Sequence, residues 1–75
     1  MLRSDERQRL LTRPLTTRER EVVRLVRQAF GNREIAKQMG IAEGTIKVHL
    51  HSIFLKTGVV SRTQLALRAA ELIDD

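Results

Sequence analysis

Asn32-Arg-Glu-Ile-Ala-Lys-Gln-Met39, then Gly40, then Ile41-Ala-Glu-Gly-Thr-Ile-Lys-Val-His-Leu-His-Ser-Ile-Phe-Leu-Lys56 is the stretch that decides the fold. Ile35, Ala36 and Met39 fall on one side at helical spacing and predict a short helix over about residues 33–39. Gly40 is free to take positive φ and supplies a tight turn. Ile41 then plugs the angle between the helices. Ile46, Leu50, Ile53 and Thr57 share one side, with Phe54 at its edge, predicting a longer helix over about residues 43–56. A short helix, a glycine turn and a longer helix are the parts of a helix-turn-helix.

Upstream, Thr16 with Glu19 three residues on is a capping box. Val22, Leu25, Val26, Ala29 and Phe30 follow it as the buried stripe of a first helix. Gly31-Asn32 ends that helix, and Asn32 is the expected N-cap of the next. Downstream, Gly58 stops the long helix, and Ser61 with Gln64 forms a second capping box. The fourth helix then runs to about Ile73. No strand pattern, internal repeat or low-complexity segment interrupts this reading. Residues 1–14, polar and closed by Pro14, read as a linker or flexible segment; residues 15–73 are the domain. The fold class is all-α with four helices.

Composition narrows the function. Seventy-five residues make one domain near the lower limit of unaided folding. Without cysteine there is no disulfide or thiolate metal site, and two histidines, His49 and His51, are too few for a structural zinc. No metal and no cofactor is expected. Fourteen Lys+Arg against nine Asp+Glu give +5, which suits a polyanionic partner. Only Phe30 and Phe54 are aromatic, too few for the stacking platforms of single-strand binding. Apolar runs stop at three residues and no signal peptide opens the chain, so a cytoplasmic location without membrane contact is expected.

On the long helix, Gly44, Lys47, Val48, His51 and Leu55 cluster opposite the buried stripe. Lysine donates to guanine O6/N7 and valine touches a thymine methyl, so this face is suited to base edges. Thr45, His49, Ser52 and Lys56 form a third side, whose hydroxyls and amine are phosphate donors. Taken singly, each of these residues is ordinary on a surface; their joint placement after the turn gives them meaning. On the fourth helix, Leu65, Ala69, Leu72 and Ile73 suffice for a core stripe. Ala66, Leu67 and Ala70 make a second apolar strip, which suits a dimer partner.

Four blocks in order, Leu15-Thr-Thr-Arg-Glu-Arg-Glu-Val-Val, Asn32-Arg-Glu-Ile-Ala, Ile41-Ala-Glu-Gly-Thr-Ile-Lys-Val-His-Leu and Gly58-Val-Val-Ser-Arg-Thr-Gln, closely resemble the C-terminal domain of the LuxR/FixJ/NarL family. The likeness covers about residues 15–72. It implies a third helix in the major groove of double-stranded DNA, with Lys47, Val48 and His51 toward base edges. It implies backbone contacts at Asn32, Arg33, Thr45, Lys56 and Arg62, and dimerisation through the fourth helix. It also implies an effector domain of a bacterial transcription regulator, of the two-component response-regulator kind. The partners are then a second copy, RNA polymerase and an upstream regulatory domain. Ala42 stands where the family commonly has a hydroxyl N-cap, a loss of roughly 1 kcal/mol. Ala29 stands where glycine is frequent, Gly31 where serine is, and Thr57 where leucine is usual.

Region four of a sigma factor shares the Arg-Glu-x-Glu and Glu-Ile-Ala helices, but the capped helix after Ser61 argues against it. A protein-interaction module that lost DNA binding is the reading from another class, and Lys47, Lys56 and Arg62 argue against it. Catalysis is not expected: no glycine-rich phosphate loop and no Ser/His/Asp arrangement is visible, and the carboxylates sit at caps or on helix surfaces.

Overall fold

Thr16 has extended backbone and opens the first helix, α1 (Thr17–Arg27). Its hydroxyl accepts from the Glu19 N–H at 3.1 Å, and the Glu19 carboxylate accepts from the Thr16 N–H at 2.8 Å. The capping box expected here is formed, and it satisfies donors that the first turn would otherwise leave open. The computed structural model describes Arg3 and residues 13–73, so most of the segment read as a linker, residues 1–14, lies outside the described residues.

Helix α1 stops sooner than its apolar stripe predicts. The Ala29 N–H donates to the Val26 carbonyl (2.9 Å) and the Phe30 N–H to the Leu25 carbonyl (3.2 Å). This pair of bonds is a Schellman motif, and Ala29 sits at its left-handed position with φ 68°. Ala29 is therefore exposed rather than buried, and Phe30 packs on the core from the connecting loop. The spacing that put both on the stripe continued a helix the backbone had already ended.

Helix α2 (Asn32–Met39) has Gly31, not Asn32, as its N-cap; Asn32 is the first helical residue. The Glu34 carboxylate accepts from the Gly31 N–H at 3.1 Å, the half of a capping box that needs no side chain at the cap. The helix ends in a second Schellman motif, with Gly40 N–H to Lys37 O (3.3 Å), Ile41 N–H to Ala36 O (3.0 Å) and Gly40 at φ 68°. Helix α3 (Glu43–Thr57) follows after the three residues Gly40, Ile41 and Ala42, its N-cap Ala42 offering no side-chain bond. Helix α4 (Arg62–Ile73) starts from Ser61, whose hydroxyl accepts from the Gln64 N–H at 3.1 Å. Gln64 returns its bond to the Val60 N–H (2.8 Å), one residue before the cap.

Among the described residues there is no strand, and α1 is the central element, packing on α4, α3 and α2. The core draws Val22, Val23 and Val26 from α1, Ile35, Ala36 and Met39 from α2, and Ile46, Leu50 and Ile53 from α3. Val59 and the α4 residues Leu65, Ala69 and Ile73 complete it. The stripes expected for α2, α3 and α4 are thus the buried ones, apart from half-buried Thr57 and Leu72. With α3 anchored on one side by three buried aliphatics, its opposite side faces outward. No helix is long and apolar enough to cross a membrane among the described residues.

The two Schellman motifs differ in one respect: Gly40 takes positive φ without penalty, whereas Ala29 carries a Cβ at the same angle. A side chain there costs roughly 1–2 kcal/mol, offset in part by the extra unfolded-state entropy of glycine. Ala29→Gly removes no packing, because the residue is exposed. Urea or thermal unfolding of this variant should show a gain of about 1 kcal/mol, and a loss of stability would contradict the strain.

Candidate nucleic-acid interface

The outward side of α3 carries Gly44, Lys47, Val48 and His51, all exposed, with Thr45 exposed beside them. Burial of Ile46, Leu50 and Ile53 on the opposite side fixes this presentation. Val48 is 68% exposed; Val60 and Leu67 are the other exposed large apolar residues among those described. The structure therefore brings Lys47, Val48 and His51 together on one open face: a cation, an apolar group and an imidazole one helical turn apart. His49, on the third side of α3, is half-buried.

The residues expected to meet phosphate divide in two. Arg33 at the start of α2 and Thr45 in the first turn of α3 are exposed. Asn32 and Arg62 are half-buried and bonded to each other: Arg62 Nη1 donates to Asn32 Oδ1 at 2.6 Å and Nη2 to the Phe30 carbonyl at 2.7 Å. This fork ties the N-terminus of α4 to the loop that opens α2. Arg62 still has guanidinium N–H groups beyond those two, since the side chain carries five.

Ser52 and Lys56 are bonded within the fold. Both donate to the Glu19 carboxylate of α1, Ser52 Oγ at 2.5 Å and Lys56 Nζ at 2.7 Å. The Lys56 side chain is only 10% exposed, and a phosphate contact from this amine would break a buried ion pair. One turn apart on the third side of α3, the two half-buried residues face α1. Glu19 itself is 3% exposed, the one buried charged residue among those described. The capping box pointed to its bond with Thr16, but nothing in the spacing of α3 pointed to an acceptor on another helix. Arg20, its neighbour, donates to the Ile73 carbonyl at 3.1 Å and so closes the end of α4.

Burial alone would push the Glu19 carboxyl up. Hydrogen bonds from Lys56, Ser52 and the Thr16 N–H, with the Lys56 charge, outweigh burial and bring it from 4.5 down to about 2. The unfolded chain thus takes up a proton at this carboxyl before the folded chain does. Its stabilisation is complete above about pH 4.5 and is lost as pH falls towards 2.

A short helix, a glycine turn and a longer helix with one open face, held by a first and a fourth helix, define a helix-turn-helix domain. The family model described as bacterial regulatory proteins, luxR family, matches residues 13–69. The chain belongs to the luxR family of bacterial regulatory proteins. It is 50% identical over 54 residues to the monoamine regulon transcriptional regulator of Klebsiella aerogenes, covering 72% of this chain and 24% of that protein. It is 44% identical over 50 residues to the CsgBAC operon transcriptional regulatory protein of Escherichia coli, covering 67% and 23%. It is 36% identical over 62 residues to the HTH-type transcriptional regulator MalT of Serratia proteamaculans, covering 83% and 7%. The chain thus spans a quarter or less of the length of these relatives. No solved structure gives a significant match.

Two measurements check the internal network. Lys56→Met leaves the Glu19 carboxylate buried without its cation and should cost about 3 kcal/mol in chemical unfolding. Stability followed by circular dichroism should decline between about pH 4.5 and 2 in the wild type, with that decline flattened in Glu19→Gln. A Lys56→Met variant as stable as the wild type would remove the pair from the account of the fold.

Proposed function

We propose that this chain reads the sequence of double-stranded DNA as the effector domain of a longer bacterial transcription regulator. Its family is one of DNA-binding regulators of transcription and not an enzyme family. Beyond that, α3 enters the major groove with Lys47, Val48 and His51 at base edges. Arg33 and Thr45 meet the phosphates on either side, joined by Asn32 and by the N–H groups Arg62 does not spend internally. The observation that carries this reading is Val48, exposed between a lysine and a histidine on the one α3 face that the core leaves open. Lysine reads guanine, valine reads the thymine methyl, and an imidazole serves as donor or acceptor to either groove edge.

A second copy is part of the proposal. Leu67 on α4 is 80% exposed, flanked by half-buried Ala66 and Ala70, and an apolar strip of this kind favours pairing of two domains on adjacent half-sites. The upstream regulatory domain, of the response-regulator kind, governs that pairing, and RNA polymerase is the downstream partner.

Selection from a random duplex pool, repeated across salt concentrations, tests the function. A recovered motif with a steep negative salt slope is expected; failure to retain any duplex would favour a protein-interaction role. Lys47→Ala should weaken the selected site by about 1–3 kcal/mol and relax the preference at one base position. Arg33→Ala should weaken cognate and random duplex alike and reduce the salt slope by about one. For the second copy, Leu67→Asp should abolish cooperative binding to a two-half-site duplex in sedimentation and titration; unchanged cooperativity would sink that part.

A further inference from the structure

The Glu19 network lies outside the DNA-reading face, yet it holds the helix that carries that face. Ser52 and Lys56 sit one turn apart on α3, and both converge on one carboxylate of α1 at 2.5 and 2.7 Å. The same carboxylate is pinned by the Thr16 N–H, so it belongs to the capping box that starts α1 and does not swing freely. Aliphatic packing by Ile46, Leu50 and Ile53 holds α3 against the core, but non-directional contacts tolerate a helix turning about its own axis. Two short hydrogen bonds at 52 and 56 do not tolerate it.

The geometry sets the scale of this control. Side chains reach about 5–6 Å from the axis of an α-helix. A rotation of about 10° therefore moves the tips of Lys47, Val48 and His51 by about 1 Å, enough to break bonds confined to a window of about 2.7–3.2 Å. The network has a second consequence, because it holds the Lys56 cation in a buried ion pair. A free amine at that position on α3 would add a phosphate contact, which raises affinity for every sequence and discriminates among none.

We propose that Glu19 is a positioning residue that sets the ratio of specific to non-specific DNA binding. By holding Ser52 and Lys56 it fixes the rotation of α3 and withholds the Lys56 charge from the phosphate backbone. The proposal rests on the DNA-reading function above, but it predicts what no purely stabilising role of Glu19 does. Loss of the carboxylate should strengthen binding to random duplex while it weakens discrimination.

The test uses the intact chain, a duplex recovered by selection and a scrambled duplex of equal length, titrated over a range of salt well below each variant's melting temperature. Glu19→Gln should bind the scrambled duplex several-fold more tightly, with a salt slope steeper by about one, and lose roughly ten-fold in the cognate-to-scrambled ratio. Adding Lys56→Gln to it should return the slope to the wild-type value without restoring the ratio. Ser52→Ala, which removes one donor and frees no charge, keeps the test open if Glu19→Gln fails to fold: it should lower the ratio and leave the slope unmoved. A folded Glu19→Gln, or a folded Ser52→Ala, with the wild-type ratio overturns the assignment alone. A wild-type chain that retains no duplex overturns the DNA-reading function first and this role with it.

Discussion

A carboxylate that is 3% exposed must be surrounded by donors or it will not stay ionised, and Glu19 is surrounded by three from two elements. That requirement ties the start of α1 to the second half of α3. Its consequences run outward through the molecule. The Thr16 bond makes the carboxylate part of a helix cap; the Ser52 and Lys56 bonds make it part of the packing of α3. Removing Lys56 leaves the Glu19 carboxylate buried without its cation, which is far costlier than losing a surface ion pair such as Arg18–Glu21. Among the described residues no buried polar side-chain atom is without a hydrogen-bond partner.

The helix ends impose the second constraint. α2 reaches α3 through a turn in which only Gly40, Ile41 and Ala42 lie outside the helices, and the left-handed Gly40 makes that sharp reversal possible. α1 reaches α2 through the same hydrogen-bond pattern with alanine at the corresponding position. One chain thus solves one geometric problem twice, once with the residue suited to it and once with a strained one. The Arg62 fork on Asn32 and the Phe30 carbonyl closes around the strained corner, and holds it from the side of α4. α4 is in turn closed at its far end by Arg20 of α1. Both ends of α4 are therefore tied to other elements, through Arg62 to the loop before α2 and through Arg20 of α1.

Much of this was legible in the sequence, and the rest was illegible for definite reasons. The four helices followed from periodicity and caps, because Ile46, Leu50 and Ile53 repeat at a spacing that only a helix brings to one side. The outward placement of Lys47, Val48 and His51 followed from the same wheel. The end of α1 did not, since apolar residues at the right interval continue past a backbone that has turned left-handed at Ala29. The internal partner of Ser52 and Lys56 was illegible for another reason. A wheel states which residues share a side, but whether that side meets solvent or another helix depends on where α1 lies. Glu19 was visible only as a cap; its second employment is a contact between residues 33 and 37 positions apart.

The internal use of polar side chains also bears on how the domain binds. The formal charge of +5 describes the whole chain, but Lys56 spends its charge on Glu19 and Arg62 places two N–H groups on the fold. What the open face of α3 presents is Lys47, Val48 and His51, with Thr45 beside them and Arg33 exposed at the start of α2. A good base contact contributes about 1–3 kcal/mol of discrimination, and each phosphate contact adds affinity without discrimination. On the proposed reading, three base-facing residues give one domain only a short site and a modest specificity ratio. In the proposed pair, two copies on adjacent half-sites would double the base contacts while the cost of association is met once, which is the physical argument for reading the exposed Leu67 of α4 as a pairing surface.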